Sequence, residues 1–252
     1  MDVRSLGPIF RLLLHGPRYT QKKVSRSLDL DRSGAADTSL NGLNRPMSTA
    51  KIQLHKGDLP KGLEFGSSVA VDSETLGLNP HRDRLCLVQL SAGDGTAHLV
   101  QLDRKTYDAP HLKALLADKS ILKIFHFARF DVAVLEKYLG VATTPVYCTK
   151  IASKLVRTYT DRHGLKDLAA EVLGLELSKQ QQSSDWGAAE LTQQQLAYAA
   201  SDVLHLHAIK AKLDLMLDRD GRREFAEAAF KFLPMRAKLD LAGFPEDDIF
   251  AH

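Results

Sequence analysis

The sequence predicts an α/β fold in which helices flank a mixed five-stranded sheet and the C-terminal half is helical. Between residues 67 and 101, apolar and β-branched residues form three short runs separated by turn signals, as in a strand meander. Beyond residue 109, amphipathic helical stretches alternate with short apolar runs. A meander that gives way to alternating helix and strand is typical of a mixed sheet covered on both faces.

The predicted elements follow in order along the chain. A first short strand and a turn lie in KIQLHKGDLP, and the meander consists of SSVAVDSET, RLCLVQLS and AHLVQL. Next come a helix at 110–117, the buried strand ILKIFHF, a helix at 130–139 and a short strand at 145–148. The remaining predicted helices cover 150–157, 165–173, 192–217 and 222–239.

Length and composition favour one main domain. With 252 residues and 44% hydrophobic residues, the chain can bury one sizeable core, which we place at 47–252. Residues 1–46 show no sustained period and are interpreted as a disordered or non-native N-terminal extension, either a flexible tail or the result of a start upstream of Met47. A targeting peptide is less favoured because the segment is not poor in acids.

The distribution of charge argues against long duplex substrates. Residues 1–46 carry +4, so the remainder of the chain, within a total of +3, is close to −1. Sequence-independent binding of long nucleic acid depends on many Lys and Arg side chains that neutralise phosphates. The body of the protein is therefore better suited to a small substrate if it binds nucleic acid.

The chain is expected to be a cytoplasmic protein that does not enter a membrane. Its two cysteines, Cys86 and Cys148, lie in apolar stretches, where a thiol packs as a small hydrophobe. No run approaches the roughly 20 apolar residues that span a bilayer.

Two acids end the first strand of the meander. Asp72 and Glu74 are two residues apart, so a strand points both carboxylates to the same face. Oxygen ligands in this arrangement suit Mg²⁺ or Mn²⁺. Taken alone, the pair is more readily explained by two solvated acids at a strand end.

A third acid, Asp131, follows the buried strand KIFHF and opens a helix, where an acid is also favoured as a cap. Neighbouring parallel strands end at a common crevice, so we expect Asp131 near the first pair. Tyr198 and Asp202 lie one helical turn apart on one face of a long helix. Four converging carboxylates would repel one another without cations, so we predict two divalent ions about 3.5–4 Å apart, with Tyr198 beside the attacking water.

The ordered motifs VAVDSETLGL, KIFHFARFD and YAASD resemble the three exonuclease motifs of the DEDD superfamily, in the branch whose third motif is Y-x-x-x-D. The likeness to ribonuclease D covers about residues 50–218. It implies a ribonuclease H-like fold of the DnaQ type, metal-binding roles for the four acids and a water-orienting base at Tyr198. Phe127 departs from the Asn that many relatives carry there.

Further strings, among them GLNPHRDRLCLVQLSAGDGTA and SKQQQSSDW, resemble the nanoRNase C family of alphaproteobacteria. This resemblance covers 51–252 and implies 3′-5′ hydrolysis of very short RNAs, notably dinucleotides. It also implies a ring-like homo-octamer, for which we expect AEAAFKFLP and the tail DIFAH to form the interface. The segments 162–166 and 180–186 are expected to be substrate-side loops. The expected substrate contacts are Thr75, Leu78, His126, Phe127, Arg129, Gln182 and Ser183. Leu78 would either wedge against the bases or pack on the core as a turn leucine.

Three functions are compatible with these residues. An exoribonuclease acting on short RNA is favoured over a ribonuclease D-like enzyme for longer RNA. A DNA-directed exonuclease would use the same metals and differ in the recognised sugar. A catalytically silent binding domain is disfavoured because all four acids and the tyrosine are present.

Overall fold

A six-stranded mixed sheet lies at the centre of the computed structural model, which describes residues 50–178 and 180–251. The strands are β1 (Lys51–Lys56), β2 (Ser68–Thr75), β3 (Leu85–Ser91), β4 (Thr96–Gln101), β5 (Leu122–Phe125) and β6 (Val146–Cys148). Their spatial order is β1-β4-β3-β2-β5-β6. The predicted extension, residues 1–46, falls outside the described part of the chain.

The prediction of five strands was wrong, because the first short strand also joins the sheet. Strand β1 pairs in parallel with β4, from Lys51 beside Thr96 to Lys56 beside Gln101. It is an edge strand whose residues are all exposed or half-buried. Its weak apolar pattern therefore did not identify it as part of the central sheet.

The rest of the sheet follows the predicted meander and crossovers. Strands β2, β3 and β4 are antiparallel neighbours, whereas β5 runs parallel to β2, and β6 runs parallel to β5. Every residue of β3 is buried. A strand that is buried on both faces requires cover from helices on both sides, as the sequence predicted.

The helices are α1 (Pro110–Ala117), α2 (Ala128–Leu139), α3 (Thr149–Val156), α4 (Leu165–Leu173), α5 (Gln193–Leu204), α6 (Leu206–Arg219) and α7 (Arg223–Leu241). The single helix predicted at 192–217 is divided at His205. Helix α5 packs across β2, β3 and β4, whereas α6 packs mainly on α3 and α4. The chain therefore passes from the sheet to a helical layer at His205, a change that local periodicity does not reveal.

Local signals fix the start of α5. The Thr192 hydroxyl accepts a hydrogen bond from the backbone N–H of Gln195 at 3.2 Å, and the Gln195 side chain accepts one from the Thr192 N–H at 2.9 Å. This reciprocal capping satisfies two N–H groups that the helix start leaves free. It sets the rotational position of α5 over the sheet. None of the helices described is long and apolar enough to cross a membrane.

Candidate active site

Strand β2 brings two carboxylates to one side of the sheet. Asp72 and Glu74 alternate with Ser73, so they share a face and Ser73 occupies the opposite one. The strand before them, Val69 to Val71, is fully buried and anchors the pair in the core. The acids therefore have a rigid support, as a ligand pair requires.

Helix α5 brings Asp202 to the same place. Asp72, Glu74 and Asp202 each offer a carboxylate oxygen, and these oxygens lie within 4.8 Å of one another. Tyr198, one turn before Asp202, lines the same cavity. The sequence prediction that these side chains converge is consistent with this geometry.

Asp131 reaches the cavity from α2, bonded to the serine between the first two acids. The Ser73 hydroxyl donates a hydrogen bond to its carboxylate at 2.6 Å, and both groups are buried. The expectation that Asp131 opens the helix was wrong. Helix α2 begins at Ala128, after Phe127 in a left-handed conformation, and Asp131 lies within the first turn, where the helix dipole still favours an acid.

All four carboxyl groups have raised pKa values. Burial is the largest cause for each of them. Neighbouring carboxylates raise the pKa of Asp72 and Glu74 further, whereas the hydroxyl groups of Ser73 and Tyr198 partly offset the increase at Asp131 and Asp202. Mutually repelling, desolvated carboxylates are stabilised when cations lie among them.

The donor set fits a hard divalent cation. All of the candidate ligand atoms are carboxylate oxygens, which Mg²⁺ and Mn²⁺ prefer, and no sulfur or imidazole belongs to the cluster found among the described residues. Asp72, Glu74 and Asp202 could hold one ion together, and Asp131 lines the same cavity.

The acids line a cavity of about 580 Å³. Its other walls come from the turn after β2, the start of α2 and two loops. Residues predicted from the sequence that line it are Thr75, Leu78, His126, Phe127, Gln182 and Ser183. Both predicted substrate-side loops contribute, the first through Gly164, Leu165 and Lys166 and the second through Gln182, Ser183 and Ser184.

The turn that carries Leu78 is held by Asp83. The Asp83 carboxylate accepts a hydrogen bond from the backbone N–H of Asn79 at 3.0 Å, and it lies so close to Gly77 that a Cβ there would be 2.3 Å from its oxygen. This close approach requires glycine. Leu78 is left 85% exposed at the cavity, so the alternative reading of a turn leucine packed on the core does not hold.

Phe127 and His126 occupy the wall between β5 and α2. Phe127 is about half exposed, and the Lys150 ammonium lies 3.9 Å from its ring centre. His126 bonds through Nδ1 to the Thr149 hydroxyl at 2.9 Å, and burial lowers its pKa to about 3. His126 is therefore neutral near pH 7, supplies no charge for a phosphate and mainly braces the wall.

Arg129 is not brought to the cavity. Its guanidinium donates to both carboxylate oxygens of Asp240, at 2.6 and 2.7 Å, and also to the Pro245 carbonyl. It therefore connects α2 to α7 and the segment that follows. The sequence predicted that Arg129, close to Asp131 along the chain, contacts the substrate. Its side chain instead extends away from the cavity, toward Asp240.

Sequence reasoning missed several contributors to the site. Ser73 was given no role, although strand alternation places it on the opposite face from the two acids. Arg157, which is buried, donates to the Arg162 carbonyl at 2.7 Å and the Ser153 hydroxyl at 3.0 Å, and so fixes the loop that leads to Lys166. No local pattern marks this role, because it depends on a buried guanidinium that bonds to a backbone carbonyl.

Comparison with known proteins agrees with the geometry. The 3′-5′ exonuclease family profile matches residues 53–218. A Brucella melitensis NrnC structure with bound Mg²⁺ is 58% identical, with a TM-score of 0.77, over 80% of this chain and 99% of that one. NrnC bound to pGG is 59% identical, with a TM-score of 0.78, over 80% and 98%.

Among curated sequences, ribonuclease D of Gluconacetobacter diazotrophicus is 33% identical over 62% of this chain. The match spans 39% of that relative's length. The family profile, in contrast, covers the strands and helices that carry all four acids and Tyr198. The chain belongs to the 3′-5′ exonuclease family.

Proposed function

We propose that this protein is a 3′-5′ exoribonuclease that hydrolyses short RNA, notably dinucleotides, to nucleoside 5′-monophosphates with two divalent cations, Mg²⁺ or Mn²⁺. The observation that carries the proposal is the cluster of Asp72, Glu74 and Asp202, with ligand oxygens within 4.8 Å of one another beside Tyr198 and Asp131. The similarity to NrnC with bound Mg²⁺ supports the choice of metal.

The cluster accounts for the reaction in atomic terms. Asp72, Glu74, Asp131 and Asp202 would hold the cations, which would supply activation of the attacking water and stabilisation of the leaving oxygen in an in-line displacement. The oxygen of that water forms a bond to phosphorus, the bond from phosphorus to the 3′ oxygen breaks, and the 3′ oxygen takes up a proton. The products are a nucleoside 5′-monophosphate and an RNA shortened by one nucleotide.

Tyr198 is positioned to orient the attacking water. Burial, followed by the charges of Asp202, Glu74 and Asp72, raises the pKa of its phenol. The hydroxyl therefore keeps its proton near neutral pH and can direct a water through a hydrogen bond. Cations among the acids oppose this increase, since they offset the charges that cause part of it.

Three observations favour a short substrate. The cavity, at about 580 Å³, has the size of a small-molecule site. The chain beyond residue 46 is close to neutral, which suits few phosphates rather than many. NrnC bound to pGG is 59% identical to this chain, and the match covers 98% of its length.

The cavity wall offers surfaces for both parts of a nucleotide. Leu78 and Phe127 present exposed apolar groups on which bases can pack. The side chains of Thr75, Gln182 and Ser183 can bond to sugar or phosphate oxygens. Lys150 and Lys166 supply positive charge beside the acidic cluster.

The natural form is proposed to be a cytoplasmic homo-oligomer, a ring-like octamer by resemblance. Helix α7 and the following segment expose large apolar side chains, among them Phe225, Met235 and Phe250. Such residues are commonly covered by partner subunits. Light scattering of the purified protein tests this part, and a monomer at micromolar concentration would contradict it.

Matched RNA and DNA dinucleotides with Mg²⁺ test the proposal. We expect mononucleotides from the RNA, much slower hydrolysis of the DNA, and no hydrolysis of either by Asp72→Ala or Asp202→Ala variants that remain folded. Retained hydrolysis in these variants would overturn the two-cation mechanism. A preference for DNA would instead support a DNA-directed 3′-5′ exonuclease.

A further inference from the structure

Gln89 is a buried polar side chain whose hydrogen bonds are not accounted for. It lies in the middle of β3 and is fully buried. Neither its amide nitrogen Nε2 nor its amide oxygen Oε1 has a hydrogen-bond partner in the structure. Nearly all buried polar side chains in folded proteins are paired, so an unpaired amide in a central strand requires an explanation.

The register of the sheet places this amide beside the acidic cluster. Gln89 is the direct cross-strand partner of Asp72 in the antiparallel pair of β2 and β3. Directly paired residues share a face of the sheet, with Cβ atoms about 4.5–5.5 Å apart. A glutamine side chain can span this distance to a neighbouring carboxylate.

The surroundings restrict the other partners that are available. The neighbours of Gln89 along β3, Val88 and Leu90, are apolar and buried, and its partner on β4 is Leu99. Helix α5 packs across these strands. Asp72 is therefore the only polar side chain directly paired with Gln89 in the register of β2, β3 and β4.

A methionine or leucine would fill the same position without any unpaired polar atom. An amide retained at this position therefore costs stability, which is characteristic of functional sites. Carboxylates that ligate metals are themselves held by hydrogen bonds from neighbouring groups, which fix the orientation of the ligating oxygen.

We propose that Gln89 is a positioning residue for the metal site: its Nε2–H group donates to a water that in turn donates to the carboxylate of Asp72, and thereby holds a ligand oxygen toward the cation. This inference rests on the proposed function, because it assigns Gln89 a role toward the ions that Asp72 would bind. Gln89 itself touches neither substrate nor cation.

The test combines thermal unfolding with Mg²⁺ titration by calorimetry in wild-type protein, Gln89→Met and Thr143→Val. Thr143 is a matched control, because its hydroxyl is also buried and unpaired and it does not line the cavity. Thr143→Val removes an unpaired hydroxyl and should melt at or above the wild-type temperature, and thermal unfolding of Gln89→Met shows whether that variant folds. Only Gln89→Met should weaken Mg²⁺ binding, by about 10- to 100-fold.

Equal Mg²⁺ affinity in wild type and Gln89→Met would overturn the proposal and leave Gln89 as a core residue. Gln89→Asn keeps an amide on a shorter side chain, and it should lose less affinity than Gln89→Met. If Gln89→Met does not fold, wild-type affinity in Gln89→Asn would overturn the proposal. If the wild-type protein binds no Mg²⁺, the proposed function fails, which is a separate result.

Discussion

Ser73 and Asp131 are joined by a buried hydrogen bond of 2.6 Å, from the serine hydroxyl to a carboxylate oxygen. The bond connects the middle of the acidic motif on β2 to the first turn of α2. It also lowers the pKa of Asp131 against the effect of burial. Ser73, which lies between the candidate ligands Asp72 and Glu74, therefore orients the candidate ligand Asp131.

Ser73→Ala is predicted to weaken cation binding without removing a ligand. Loss of the hydroxyl leaves Asp131 free to rotate and easier to protonate, so the Mg²⁺ concentration for half-maximal hydrolysis should rise about 10-fold. A Mg²⁺ titration of dinucleotide hydrolysis measures this. Ser120→Ala is the control, since that exposed serine donates to Asp118 at 2.7 Å outside the cavity. An unchanged Mg²⁺ dependence in Ser73→Ala would refute the orienting role.

Asp202→Asn is predicted to stabilise the metal-free protein while it abolishes activity. The substitution keeps the shape of the side chain but removes one of the clustered charges, which should raise the free energy of unfolding in EDTA by about 0.5–2 kcal/mol. Wild-type protein should gain stability when Mg²⁺ is added, because a ligand that binds only the folded state stabilises it. Thermal unfolding with and without Mg²⁺ measures both effects.

Asp108→Asn serves as the control, because Asp108 is an exposed acid that does not line the cavity. The stability of Asp108→Asn in EDTA should match that of wild type, and Mg²⁺ should stabilise this variant as much as it stabilises wild type. If Asp202→Asn is less stable than wild type in EDTA, charge repulsion among the clustered acids does not destabilise the metal-free protein.

The ordered acids could be predicted because each lies within a local pattern. Alternation along β2 placed Asp72 and Glu74 on one face, and helical spacing placed Tyr198 one turn from Asp202. The convergence of parallel strand ends then predicted that Asp131 lies nearby. These inferences depend only on periodicity and on the general geometry of α/β sheets.

The remaining features depend on partners that are distant in sequence. Arg129 bonds to Asp240, 111 residues later, and no local pattern could direct its side chain away from the site. The end of α5 at His205 follows from the different surfaces on which α5 and α6 pack. The inclusion of β1 in the sheet likewise depends on pairing with β4, which its own weak pattern does not specify.

Arg129→Gln is predicted to reduce stability and leave catalysis unchanged. The guanidinium is about one-third exposed, so loss of its bonds to Asp240 should cost about 1–2 kcal/mol of unfolding free energy after solvent screening. Denaturant unfolding and dinucleotide kinetics measure the two effects. A raised KM with unchanged stability would instead favour the substrate contact that the sequence suggested.

The pair of Arg157 and Glu171 predicts an acid-sensitive contribution to stability. Hydrogen bonds from Arg157, followed by one from Tyr159, lower the pKa of Glu171 from 4.5 to about 2. Because the folded pKa is below the unfolded value, this contribution is present above about pH 4.5 and is lost as the pH falls toward 2. Its size is reduced by screening, since the Glu171 side chain is 42% exposed.

Urea unfolding of wild type and Glu171→Gln, at pH 6 and at successively lower pH, measures this dependence. The variant should be less stable than wild type at pH 6, and the difference should shrink at low pH. A difference that stays constant with pH would show that Glu171 does not stabilise the fold through its charge.

Leu78→Ala is predicted to weaken substrate binding without affecting the fold. The side chain is 85% exposed, so its removal costs little stability, but it lines the cavity where a base would pack. The KM for an RNA dinucleotide should rise severalfold, as expected when apolar contact with a base is lost. Leu215→Ala, at a position 68% exposed on α6, is the control and should match wild type. Equal KM values in Leu78→Ala and Leu215→Ala would exclude a role for Leu78 as a wedge against the bases.

The most direct test of the central claim is a length series of 5′-labelled RNAs, from dinucleotide to about ten nucleotides, incubated with the protein and Mg²⁺. We expect stepwise loss of nucleoside 5′-monophosphates from the 3′ end, the highest rate for the dinucleotide, and no product with Asp202→Asn. Faster hydrolysis of the longest RNAs, or cleavage that persists in Asp202→Asn, would contradict that claim.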